Sequence, residues 1–259
     1  MPARAPRTLR RWGRAALAAL AAAVAGCGSA TVAALPPAAA PRDAPPLTTA
    51  PAGRVVALRT TPRELLLRGA DVLVQGDGYV RLRARDGRVL DCDASPRGIA
   101  PADEIAVGDG TRFAVVSPRE RVVELFDRRT GARLARADAG VGPTRGISND
   151  RWLWIADTQG NALLVFRTRP ELELVRRVFL PGGPYAIALD ATKLRLWVTL
   201  TGTNEIAELP ANGRPRELRR FPTVRQPDAV AVDSATHRVF VGGRRELQLL
   251  DPGPLPPRN

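Results

Sequence analysis

The 259-residue sequence has few of the residues from which catalytic and metal sites are usually built. It contains one histidine, His237, two cysteines and one methionine. A single histidine excludes a cluster of histidine metal ligands, and its expected place in a turn between two strands argues against a Ser–His–Asp triad. The sequence also lacks a glycine-rich phosphate loop before a helix. We therefore expect no catalytic residue set, no metal and no cofactor.

Long hydrophobic runs are also missing. The stretch of Ala, Leu and Val from Ala15 to Ala25 has eleven residues, whereas a helix needs about 20 to cross the hydrocarbon core. It follows a basic segment and ends in Val24-Ala25-Gly26-Cys27. This order is typical of a signal peptide, and its last four residues resemble the lipobox of bacterial lipoproteins. The resemblance implies that residues 1–26 are removed and that Cys27 carries a lipid that anchors the protein to the extracytoplasmic face of the cell membrane.

The predicted signal peptide contains no acidic residue, so its arginines raise the net charge of the whole chain. The net charge of +13 includes five arginines of the signal peptide, without which it falls to +8. The remaining positive charge is spread among Asp and Glu residues, so nucleic acid is not an expected partner. Weak attraction to an anionic cell-wall polymer stays open. The pair Arg10-Arg11 lacks the large apolar residue that twin-arginine export prefers two places later, and the export route also stays open.

Helix-forming stretches are scarce because 24 prolines and 23 glycines interrupt the chain. Residues 28–53 are rich in Ala and Pro with almost no charge. Together with Cys27 they are predicted to form a semi-rigid tether. The end of the chain, residues 252–259, is predicted to be a proline-rich tail.

The rest of the chain repeats with a period of about forty residues. Bulky residues in the second apolar run of each unit are spaced 40, 41, 43 and 43 residues apart, at Leu73, Phe113, Trp154, Trp197 and Phe240. Each unit holds short apolar runs bounded by turn residues such as Asp86-Gly87 and Asp109-Gly110. Four short strands per forty residues are typical of a propeller blade. The predicted fold class is therefore all-β, a five-bladed β-propeller over residues 54–251, with blades at about 62–97, 102–139, 143–181, 184–222 and 227–250.

Three segments carry a more specific resemblance. Residues 154–161 resemble an NHL repeat, and residues 190–199 and 233–241 resemble YVTN-type propeller repeats. The resemblance covers residues 102–251 and implies a propeller. YVTN-type propellers commonly have seven blades, so the number of blades stays open.

The last unit has room for only three strands before the tail. An unassigned apolar run, Arg54–Leu58, precedes the first unit. We predict that residues 54–58 form the outer strand of the last blade and so close the ring, because closure removes an exposed edge.

Polar or aromatic residues follow the proline that opens the first strand of each unit. Equivalent positions of a propeller lie on one ring near the channel, so these side chains are predicted to converge on one binding face: Arg63, Glu64, Asp103, Glu104, Arg145, Tyr185 and Asp228. The simpler alternative is a set of solvated loop residues. For His237 we expect a solvated turn residue, for Cys92 a small buried apolar residue, and for Asp157 and Asp190 caps of turns.

These observations favour a binding role over catalysis. The first hypothesis is a tethered monomer whose rigid face binds a protein or a cell-envelope ligand. A propeller enzyme of the lactonase, lyase or quinoprotein type is the second hypothesis, because the fold alone does not exclude one. Electrostatic binding of an anionic wall polymer is the third.

Overall fold

The computed structural model describes residues 40–76, 79–93, 104–107 and 110–255. The predicted signal peptide, Cys27 and Asp103 lie outside these residues. Within the described ranges the chain is all-β, and no helix there is long and apolar enough to cross a membrane.

Twenty strands in the described ranges form five four-stranded antiparallel sheets, which we number I to V. Sheet I contains β2 (Glu64–Arg68), β3 (Asp71–Gln75), β4 (Tyr79–Arg83) and β5 (Val89–Asp93). Sheet II contains β6 (Glu104–Val107), β7 (Arg112–Ser117), β8 (Val122–Asp127) and β9 (Arg133–Asp138). Sheet III contains β10 (Pro143–Ser148), β11 (Trp152–Asp157), β12 (Ala162–Arg167) and β13 (Glu173–Phe179). Sheet IV contains β14 (Pro184–Asp190), β15 (Arg195–Leu200), β16 (Glu205–Pro210) and β17 (Arg219–Pro222). Sheet V contains β18 (Pro227–Asp233), β19 (Arg238–Gly243), β20 (Glu246–Leu250) and β1 (Arg54–Ala57).

The first strand of each sheet lies innermost. In space these strands follow one another in the order β2, β18, β14, β10 and β6. Hydrophobic clusters join sheet I to V, V to IV, IV to III and III to II. Antiparallel sheets that pack face to face around their first strands are the arrangement of a β-propeller.

The periodic bulky residues divide into two groups. Trp154, Trp197 and Phe240 are buried between sheets, as a core position requires. Leu73 and Phe113 are only half-buried. Phe113 stacks on Phe126 with ring centroids 5.2 Å apart. Both lie on the faces of sheets I and II that point away from the four hydrophobic clusters. The forty-residue period therefore overestimates the burial of these two side chains.

The N-terminal strand β1 occupies the outer edge of sheet V. It pairs antiparallel with β20, and Arg54 lies opposite Leu249. The chain enters β1 through Gly53, whose φ is +76° and where a Cβ atom would collide with the carbonyl of Leu249. This is the edge position that the sequence predicts for residues 54–58.

Part of the predicted tether is bound to the sheets. We call residues 42–45 the strap. The side-chain amide of Gln226 donates to the Arg42 carbonyl (2.6 Å) and accepts from the Ala44 N–H (2.9 Å). Asn204 donates to the Pro45 carbonyl at 3.0 Å. The strap is therefore a part of the predicted tether that side chains of the sheets bind, and its own composition gives no sign of that.

Removing the Gln226 amide should release the strap. In the wild type the Arg42–Asp43 bond lies next to backbone groups that are held by hydrogen bonds, so trypsin should cleave it slowly. We expect Gln226→Ala to raise the rate of cleavage after Arg42 at least about tenfold, because local opening controls proteolysis. Gln159→Ala is the matched control. Gln159 binds Arg42 through its main-chain carbonyl, so removing its side chain leaves this hydrogen bond in place. Equal cleavage rates in the two variants, measured by mass spectrometry, would show that Gln226 does not hold the strap.

The first residues of the predicted proline-rich tail are also bound. The guanidinium of Arg219 donates to the carbonyls of Pro252, Gly253 and Pro254 at 2.7 to 3.0 Å. The same side chain is paired with Glu208 of β16. The tail therefore begins as a segment held against sheet IV.

His237 joins two sheets instead of lying free in a turn. It follows β18 with φ +63°, as a turn residue would. Its Nδ1 lies 2.9 Å from Oδ2 of Asp190, whose other oxygen accepts from the N–H groups of Thr192 and Lys193. The predicted turn position of His237 is confirmed, but its ring is half-buried and bound to Asp190 where a solvated ring was expected. The expectation of Asp190 as a turn cap is confirmed.

Candidate functional site

The innermost strands of sheets III, IV and V are irregular at the same place. Their pairing register shifts by one residue just after the opening proline of β10, β14 and β18. The shifted segments hold Arg145, Tyr185 and Asp228. β-Bulges redirect side chains and are frequent beside functional sites. No such shift occurs in β2 or β6.

These strands surround a central cavity of about 340 Å³. We call the end of this cavity where the innermost strands begin the mouth. Arg63, Glu64, Arg145 and Asp228 line the cavity there, and apolar residues of the same strands line the rest. Four of the predicted binding-face residues therefore share one cavity. Tyr185 is half-buried beside them. Glu104 begins β6, Asp103 is outside the described ranges, and Cys92 lies in β5.

Asp228 is the most perturbed carboxyl group of the mouth. It is half-buried, and its Oδ1 atom is buried without a hydrogen-bond partner among the described residues. Burial raises the pKa of Asp228 from 3.8 to about 6, against the opposing effects of a hydrogen bond from Gln226 and the charge of Arg244. Desolvation disfavours the charged form of a carboxyl group. An ionised Asp228 therefore lacks full compensation by the protein.

Tyr185 lies within the electrostatic reach of both charges. Burial raises the pKa of its hydroxyl, the Arg145 charge lowers it and the Asp228 charge raises it further. No ion pair joins Arg145 to Asp228, and Arg145 has no hydrogen-bond or ion-pair partner among the described residues. The mouth thus contains a cation, Arg145, and an anion, Asp228, and both charges act on the Tyr185 hydroxyl.

Three threonine hydroxyls hold the shifted segment of β14 in place, and sequence reasoning missed them. The Thr144 hydroxyl donates to the Tyr185 carbonyl (2.9 Å), and the Thr158 hydroxyl donates to the Pro184 carbonyl (2.5 Å). The Ala186 N–H donates to the Thr199 hydroxyl at 2.9 Å. Hydroxyl groups can satisfy backbone groups that a bulge removes from the ladder. The available signal was a polar residue within an otherwise apolar strand, Leu196–Leu200.

Metal ligation has no support in this part of the chain. Within the described residues no three His, Cys, Asp or Glu side chains cluster as a metal site would require. Asp157 instead accepts a hydrogen bond from the Gly160 N–H of its own turn at 3.1 Å, others from the N–H groups of Val141 and Gly142, and pairs with Arg177. This confirms the predicted role of Asp157 as a cap.

The raised pKa of Asp228 predicts a dependence of stability on pH. Because the folded state binds the Asp228 proton more tightly than the unfolded state, its contribution to stability is fully present below pH about 4 and is lost as the pH rises through about 6. Asp228→Asn removes this dependence. We expect a higher Tm than the wild type at pH 8 and no difference at pH 3.5.

Asp251→Asn is the opposite control in the same thermal unfolding series. A hydrogen bond from Arg238 lowers the pKa of Asp251, so this variant should lose stability at pH 8. Lower stability of Asp228→Asn at pH 8 would contradict the account of an uncompensated carboxylate.

No protein-family model matches the sequence, and no curated protein is similar to it. Several solved structures have a similar fold. A catalytically inactive virginiamycin B lyase from Staphylococcus aureus with quinupristin has 18% identity and a TM-score of 0.47, over 73% of this chain and 65% of that one. A putative 6-phosphogluconolactonase from Bacteroides fragilis has 14% identity and a TM-score of 0.47, over 70% and 62% of the two chains. The WD40 β-propeller domain of Doa1 has 10% identity and a TM-score of 0.47, over 73% and 63%. This chain spans less than two thirds of the length of each.

Proposed function

We propose that this protein is a binding module that takes its ligand at the mouth of a closed, five-bladed propeller. Support for five blades comes from the five sheets of the described ranges and from the pairing of β1 with β20. A closed ring requires the half-buried apolar faces of sheets I and II to pack on each other. Closure fixes the innermost strands and so provides a rigid site.

The observation that carries the proposal is the separation of Arg145 from Asp228. Both lie in the shifted segments of innermost strands, at neighbouring positions of the repeat, and both line the same cavity. A protein that needed only stability would pair or replace them, since an uncompensated half-buried charge is costly. A concave site with a few converging polar groups is typical of ligand binding.

Binding is favoured over catalysis by what surrounds the mouth. The one histidine lies after the far end of β18, whereas Asp228 lies at its beginning. Among the described mouth residues no nucleophile stands beside a base in the way that covalent catalysis requires.

The proposal includes a membrane location. The signal-peptide pattern and the lipobox-like Val24–Cys27 support a lipid on Cys27, which would tether the folded domain to the extracytoplasmic face of the cell membrane. The partner of the mouth is then a protein or another component of the cell envelope.

A matched pair of charge reversals tests the mouth. Arg145→Glu changes a mouth residue, and Arg85→Glu makes the same change in the β4–β5 turn at the opposite end of the ring, where the side chain is 75% exposed. Immobilised wild type and both variants are incubated with an envelope extract at low and high salt. We expect Arg145→Glu alone to lose the captured ligand.

Two other outcomes would contradict the proposal. Equal, salt-sensitive loss in both variants would indicate electrostatic binding of an anionic polymer. Unchanged capture in both variants would place the binding surface elsewhere.

A further inference from the structure

Several arginines on the sheets of this protein are paired with acidic groups. Arg219 is paired with Glu208 at 2.5 Å, and Arg238 with Asp251 at 2.7 Å. Arg220 binds both Glu205 and Glu217. Arg145 has no such pair within the described ranges, although it lines the same cavity as Asp228.

The two opposite charges of the mouth are on different strands that are not neighbours. Arg145 projects from β10 and Asp228 from β18, while β14 with Tyr185 lies between these strands. A register shift lies beside each side chain, and the Thr144 hydroxyl joins the shifted segment of β10 to that of β14. The two side chains form no ion pair with each other in this arrangement.

Each charge has a distinct chemical preference. A guanidinium presents its N–H groups in a planar fork that matches a carboxylate. A carboxylate with a buried oxygen that lacks a partner accepts hydrogen bonds and attracts a cation, and an ammonium group supplies both. A ligand with the two complementary charges would satisfy both groups at once.

We propose that the mouth binds a small dipolar ligand, an amino acid or a short peptide, with its free amino group on Asp228 and its carboxylate on Arg145. This inference rests on the proposed function of the mouth. The cavity of about 340 Å³ lies at the small end of the range of ligand sites, which favours a small molecule over a folded partner. Glu64 and Arg63 at the rim add one more group of each sign.

The test uses the full chain and alanine peptides whose ends are free or blocked. Alanine, dialanine and trialanine, N-acetylated and C-amidated trialanine, and inorganic phosphate are titrated calorimetrically at pH 7.5. With the wild type we expect blocking either end of the peptide to weaken binding at least about tenfold. With Asp228→Asn, acetylation should have no further effect, and with Arg145→Gln, amidation should have no further effect. The Tm of each variant verifies that it is folded.

Other outcomes overturn the inference. Equal affinity for free and blocked peptides would show that Asp228 and Arg145 do not bind the charged ends of the peptide. Phosphate binding without peptide binding would identify an anion site. If no peptide binds while capture from the extract still depends on Arg145, the ligand class is wrong and the proposed function stands. If capture is indifferent to Arg145, the proposed function itself fails.

Discussion

Trp197→Ala should lower the free energy of unfolding by about 3–5 kcal/mol, the usual cost of removing a buried aromatic side chain. Trp197 is 2% exposed and belongs to the cluster that joins sheets IV and V. Its ring lies 6.0 Å from that of Phe221 on the outer strand of sheet IV. The substitution would therefore leave a cavity between two sheets whose backbones are fixed by their own hydrogen bonds.

Arg214→Ala is the control for this prediction. Arg214 is exposed between β16 and β17, and a change there should stay within about 0.5 kcal/mol. Denaturant unfolding of both variants provides the comparison. Similar small losses in the two variants would mean that the forty-residue period does not mark the contact between sheets.

Loss of β1 should have an effect of similar size. A chain that begins at residue 61 lacks Val56 and Leu58, which pack into the cluster between sheets I and V. Each such side chain contributes about 1.5–3 kcal/mol when it is buried. We expect this chain to unfold at least roughly 6–12 °C below one that begins at residue 53, since each kcal/mol corresponds to about 2–4 °C at this size.

Both shortened chains lack the strap, so the comparison isolates β1. The shorter chain should also aggregate, because β20 would expose its unpaired edge. Equal Tm values and equal solubility would show that β1 is not needed to complete sheet V.

Much of the fold could be predicted from local patterns. The strands follow from short apolar runs between turn residues, and the predicted blade 184–222 has the same bounds as sheet IV. The position of β1 followed from counting the runs available to each unit. The deeper burial of Trp154 relative to Phe113 could not be predicted in this way, because it depends on which face of each sheet has a neighbour.

The closeness of the mouth residues could be predicted, but the backbone around them could not. Arg145, Tyr185 and Asp228 all lie just after an opening proline, and a repeat places the beginnings of its first strands near one ring. The register shifts could not be predicted from the sequence, because an extra residue in a strand is defined only by its pairing with the neighbouring strand. The strap was missed for a similar reason: the groups that bind it, such as Gln226, lie about 180 residues away in the sequence.

The central claim is that a ligand occupies the mouth, and site-directed photocrosslinking tests it most directly. A photoreactive phenylalanine analogue is placed at Tyr185 in one protein and at Phe179 in another. Phe179 is 74% exposed at the end of the outer strand β13, so its accessibility is higher than that of Tyr185. After irradiation in envelope extract, the account predicts a crosslinked ligand at position 185, its loss on adding Arg145→Glu, and none at position 179. A crosslink at position 179 alone, or one at 185 that persists in Arg145→Glu, would contradict it.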